Sequence, residues 1–294
     1  MKSLFSKTIV ASAVAAVSLF VGAANAADYP NFTVTPGNLD PVTAPNALPT
    51  YPYGPFEADK ITGNYNEAIS FDSNGNFFVS LYWRAGQFVD EGGVGPLAGT
   101  TTGLNGGLAP GPNQYGYGLY ALYKASGTYS ISGNTTSFTF TGPGSLAVYL
   151  DQDQDTVGGV GQRPATGQDD WNLTGAGNDI LLAQGVALSG EGSFAPNASC
   201  ANVQFGCGRF ASQTTFELVG QGDQFFTAPN PFYNLSFQSG QLNGFVIDPT
   251  RTAYIDGSLD VVFDRAEVPE PASLGLLGLG LLGLSAARRR KQAK

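Results

Sequence analysis

Residues 67–84 read EAISFDSNGNFFVSLYWR, two apolar-rich runs separated by a polar centre. DSNGN at 72–76 is a hairpin turn, because Asn-Gly adopts the positive φ that tight strand reversals need. The runs at 67–71 and 76–84 are then consecutive antiparallel strands. The same grammar recurs along the chain. In TSFTFTG (136–142) Phe138 and Phe140 share one face, with threonines opposite. In SLDVVFD (258–264) Leu259, Val261 and Phe263 alternate with Asp260, Val262 and Asp264. Alternation of period two marks a half-buried strand. Further strands are predicted at 117–131, 145–151, 179–188, 214–220 and 231–240. No helix-length amphipathic pattern interrupts them. The fold class is therefore all-β, an antiparallel β-sandwich for which a jelly roll is one arrangement.

The composition agrees. Gly (40) and Pro (18) are abundant, yet aromatic residues make up 12%, too many for a disordered chain and suited to many short strands and turns. Residues 27–55 are dense in Pro and lack periodicity, so they read as an extended arm ahead of a β-sandwich domain at 56–266. Two long polar loops follow, at 92–112 and 151–178; loops of that length are functional or mobile.

The N-terminus places Lys2 and Lys7 before an apolar run from Ile9 to Gly22, then AANA at 23–26. Basic, apolar and small residues in that order are the layout of a cleaved signal helix at 1–26, so the chain is expected to be exported. Of the 14 Lys and Arg, two lie in this leader and five follow Ala287. That leaves seven against 23 Asp and Glu, and a body near −16. Such a body repels nucleic acid and favours cations.

Histidine is absent. Ser-His-Asp and Cys-His catalysis are thereby excluded, and the commonest transition-metal ligand is missing. Paired carboxylates remain, as in glycoside hydrolysis, but the expectation is a non-enzyme. Cys200 and Cys207 are the two cysteines. In an oxidising compartment they are read as a disulfide closing a short loop, contributing about 2–3 kcal/mol.

Two clusters carry candidate binding chemistry. Asp151, Asp153 and Asp155 alternate in DQDQDT just after a strand, with Asp169, Asp170 and Asp179 following. Carboxylates two residues apart are how a Ca²⁺ loop presents its first ligands. The EF-hand pattern nevertheless fails, with Thr156 in the place of its glycine and Gln162 in that of its bidentate Glu. A solvated acidic loop is the competing reading. In QYGYGLYALY (114–123), Tyr115, Tyr117 and Tyr123 fall on one strand face and Tyr120 on the other. Exposed rings there would stack on sugars; buried ones would pack a core. Trp83 continues an apolar strand and reads as core, whereas Trp171 lies within the acidic loop.

The C-terminus places Val268, Pro269, Glu270 and Pro271 before an uncharged Gly/Leu-rich run at 272–287, which Arg288, Arg289, Arg290 and Lys291 close. As a helix the run spans about 24 Å, short of a hydrocarbon core of about 30 Å. The basic residues hold its end on the cytoplasmic side, and the prolines keep the preceding backbone extended. These features suit a temporary transmembrane tether with an accessible cleavage site.

This tripartite ending closely resembles the PEP-CTERM sorting signal of Gram-negative bacteria. The resemblance covers 268–294 and implies processing by an integral-membrane exosortase, with release or transfer beyond the inner membrane. Four body segments, YNEAISFDSNGNFFVSLYW, LAVYLDQDQDT, FFTAPNPFYNLSFQSGQ and GSLDVVFDRAEVPEP, resemble the flocculation-associated PEP-CTERM proteins of floc-forming bacteria. That resemblance implies a secreted matrix protein that acts with exopolysaccharide in floc or biofilm formation and brings no catalytic residues. The alternatives are a carbohydrate-active hydrolase and a structural surface protein that self-associates through edge strands.

Overall fold

A computed structural model describes residues 29–39, 53–92, 95–106, 116–142, 144–194, 208–242 and 247–264. The signal helix, Tyr115, Cys200, Cys207, Val268–Pro271, the segment 272–287 and Arg288–Lys291 lie outside these residues. Among the described residues no helix is long and apolar enough to cross a membrane.

Fifteen strands account for most of the described chain. They are β1 (Phe32–Val34), β2 (Phe56–Ala58), β3 (Lys60–Phe71), β4 (Asn76–Asp90), β5 (Gly95–Pro96), β6 (Gly118–Ser132), β7 (Thr135–Phe140), β8 (Ser145–Asp151), β9 (Ile180–Gly185), β10 (Ala187–Phe194), β11 (Gly208–Thr214), β12 (Glu217–Leu218), β13 (Phe226–Ala228), β14 (Asn234–Leu242) and β15 (Ala253–Asp264). Helices among these residues are single turns. The predicted all-β, antiparallel class holds.

The predicted hairpin forms, with a modification. Gly75 takes φ 84°, while Asn74 does not adopt positive φ. The Asp72 carboxylate supplies the rest, accepting the backbone N–H of Asn74 (2.8 Å) and of Asn76 (2.9 Å). Phe71 and Phe77 then face each other across the first rung.

The sheet closes on itself. β3 pairs with β4, β4 with β6, β6 with β7 and β8, β7 with β10, β10 with β11, β11 with β14, β14 with β15, and β15 returns to β3. β7–β8, β9–β10 and β11–β12 each run on as one bent stave, so eight staves neighbour one another in sequence order. This is an up-and-down meander. A jelly roll would place non-consecutive strands side by side, and an open sandwich would leave free edges along its two sheets. The alternating pattern that predicts a sandwich serves a closed wall equally well.

Inward positions follow the alternation. Ile61, Tyr65, Ile69 and Phe71 of β3 meet Phe77, Val79, Leu81 and Trp83 of β4 in one buried core. A register shift leaves Gly86 unpaired, so the inward set changes parity and Phe88 turns inside. Trp83, 1% exposed, donates its Nε1–H to the Leu259 carbonyl at 3.0 Å. Its assignment to the core is correct. The interior is filled with side chains; the cavity bounded by Ile61, Trp83, Leu119 and Phe237 measures about 10 Å³, barely room for one water.

A small sheet of order β13-β1-β2 covers one end of the barrel. Phe32 of β1 packs edge-on against Phe263 (4.8 Å) and lies 6.2 Å from Phe226. Within the stretch expected to be an extended arm (27–55), Phe32–Val34 form a strand paired on both sides, with Phe32 and Val34 buried against the end of the barrel. The other end is filled by Phe71, Tyr129, Phe77, Phe138 and Phe140, in edge contacts of 5.1–5.4 Å.

Candidate functional site

The chain leaves β8 at Asp151 near the capped end and returns at Asp179. Between them residues 152–178 form a strap up the outside of the wall. Arg163 bonds both oxygens of Asp256 through Nη2 (2.9 and 3.0 Å) and lies over the Tyr254 ring. The Tyr254 hydroxyl donates to the Pro164 carbonyl (3.0 Å), and the Gly167 N–H donates to Ser70 Oγ (3.1 Å). Gly167 lies so close to β4 that an added Cβ would meet the Phe78 carbonyl oxygen at 1.9 Å. The strap therefore rests directly on the backbone of the barrel.

Beneath it lies a second, outer aromatic layer. Trp171 sits 5.7 Å from Tyr82, Tyr82 sits 5.7 Å from Tyr120, and Tyr120 stacks on Tyr149 at 5.2 Å. Leu122 and Leu173 complete the cluster. Burial pushes the Tyr82 hydroxyl up to about 12 and raises that of Tyr120, to which Asp179 adds.

The three predicted aspartates do converge. Oxygens of Asp151, Asp153 and Asp155 lie within 4.8 Å of one another. Asp151 accepts the N–H groups of Asp155 (3.2 Å) and Thr156 (3.1 Å), and Asn178 bonds Asp153 (3.0 Å). Asp179 joins them from the start of β9, accepting the hydroxyls of Tyr120 (2.6 Å) and Thr156 (2.7 Å). Desolvation, reinforced by neighbouring carboxylates, holds Asp151, Asp155 and Asp179 above the usual carboxylate range. One oxygen each of Asp153 and Asp179 is buried without a hydrogen-bond partner. The oxygens of Asp151, Asp153 and Asp155 lie close enough together for one hard divalent cation, so these three residues fit Ca²⁺. Asp169 and Asp170 serve elsewhere: Asp169 caps its own turn through Thr166 (2.8 and 2.9 Å), and Asp170 pairs with Lys124 (2.7 Å).

Sugar stacking on Tyr117 and Tyr123 is overturned. Both project inward, 0% and 1% exposed, with Leu119 and Ala121 between them. Tyr123 shares a 2.6 Å hydrogen bond with Ser212. Their face is the inner wall, where ring volume fills the barrel. Tyr120 does face outward, as alternation requires, but the strap covers it. An open concavity lies beside the strap, a cleft of about 290 Å³ lined by Phe78, Lys124, Ser126, Ser145 and Gln168.

Sequence reasoning missed Glu67. It lies on the inward face of β3 between Leu81 and Ile255, and burial pushes its carboxyl up to about 7. One of its oxygens has no partner. The signal was available, since Glu67 shares parity with Ile69 and Phe71.

Comparison with known proteins bears on the C-terminus. The PEP-CTERM protein-sorting motif matches residues 267–291, so the chain carries that address. It is an exported protein directed to an exosortase, destined for the cell surface or the extracellular space once processed. No curated protein and no solved structure matches it.

Proposed function

We propose that the processed protein is a non-catalytic component of an extracellular matrix, acting with exopolysaccharide in floc or biofilm formation. The sorting motif at 267–291 carries this reading, because it delivers an acidic folded body outside the inner membrane. The fold supports a passive role. Its interior is packed solid, and the acidic groups are tied into a turn rather than lining a deep cleft. Closure also weighs against assembly through edge strands, since apart from the short β12 the ring staves are hydrogen-bonded on both sides.

Contact with polysaccharide is assigned to the aspartate cluster. Ca²⁺ held by Asp151, Asp153 and Asp155 would keep positions open to carboxylates of an anionic glycan. Pull-down on purified matrix polysaccharide tests this. Binding in about 1 mM Ca²⁺ (the weak-site range for extracellular modules is roughly 0.1–1 mM) should disappear with chelator and in Asp153→Asn/Asp155→Asn. Absence of binding in both conditions removes the glycan role.

A further inference from the structure

The fold brings together the two points at which the body joins its membrane-directed segments. Just before β1, the Asn31 carbonyl accepts the Tyr233 hydroxyl at 3.1 Å. Tyr233 directly precedes Asn234, which pairs with Asp264, the last residue of β15. The leader expected at 1–26 and the motif at 267–291 therefore attach at one end of the barrel, the end covered by the β13-β1-β2 sheet.

The link to the motif is short. Four residues separate Asp264 from Pro269, so their Cα atoms lie at most about 18 Å apart. The 12 residues of β15 carry its other end about 40 Å away. The strand cannot peel back cheaply to lengthen the link, because Phe263, 1% exposed, is held by Phe32 (4.8 Å), Phe232 (5.1 Å) and Phe216 (5.2 Å). A folded barrel thus presents its capped end rather than its far end to whatever cuts near Pro269.

We propose that this capped end docks on the outer face of the integral-membrane processing enzyme, with the far turns pointing away from the membrane. The proposal rests on reading the motif as the substrate of such an enzyme. Glu57, Asp90 and Glu91 lie at this end, with Glu91 paired to Lys60. An acidic rim is repelled by anionic lipid headgroups and fits a basic protein surface beside the cleavage site.

The test uses the full-length chain expressed with a catalytically inactive processing enzyme. A photocrosslinking amino acid is placed either at Glu57, exposed on β2, or at Asn74, exposed in the β3–β4 turn at the opposite end. Adducts with the enzyme should form from position 57 at least tenfold more than from position 74. Twelve Gly/Ser residues inserted after Asp264 should leave that preference in place, and its loss would show tethering without docking. Equal adducts from both positions, adducts from position 74 alone, lipid adducts alone from position 57, or no adducts would each overturn the docking. Failure of the underlying reading shows separately, as exported protein that retains its tail in cells with active enzyme.

Discussion

Glu67 sets a pH dependence that can be isolated. An unfolded glutamate titrates near 4.3, whereas burial holds this one to about 7. Between those values the folded state keeps a proton that the unfolded chain has released. The group's contribution is therefore complete below about pH 4 and is lost as pH rises towards 7, by about 4 kcal/mol at most. Chemical denaturation of Glu67→Gln against the parent should show this slope removed and the variant the more stable above pH 7. Identical slopes would place the carboxyl in water. Parity along β3 made the residue legible. The destinations of the tyrosines were not, because alternation says which residues share a face but leaves open which face is covered. Tyr117 and Tyr123 fill the interior, and Tyr120 lies under a loop that no local pattern could place there.

At the scale of elements, the strap is the least legible part. Its length and acidity were evident, but it lacks periodicity and packs through only a few apolar side chains, chiefly Trp171 and Leu173. The runs with clean alternation were located to within a few residues. β1, β2, β5, β13, most of β10 and β11 and the first half of β3 were not, being short or rich in Gly and polar residues. The strap's seating on β4 depends on Gly167, where a side chain has no room beside Phe78. Gly167→Val should lift the strap while leaving the barrel closed. Trp171 fluorescence should shift to the red and gain quencher access, with the far-ultraviolet circular dichroism of the sheet retained. Unchanged emission would mean that the strap is held by its polar contacts alone.

For the whole molecule, closure between the first and last staves governs cooperativity. β15 pairs along residues 253–262 with β3, and Phe263 locks the capped end. A chain ending at Thr252 should lose cooperative thermal unfolding. One ending at Val268 should keep the melting temperature of the same chain carrying the tail, since processing then removes nothing the barrel uses. Equal stability of the two truncations would contradict closure. The antiparallel class was legible because hairpin turns and alternation are local. Closure was not, because the β15–β3 pairing joins residues almost 200 positions apart and leaves no separate mark on either strand.

The body is thus a self-sufficient barrel on a short, removable tether, and the mass of the exported protein tests that most directly. Intact-mass spectrometry of protein recovered outside the cells should give a chain that ends near Pro269–Pro271 and lacks residues 272–294. A mass that still includes Arg288, Arg289 and Arg290 would contradict the account.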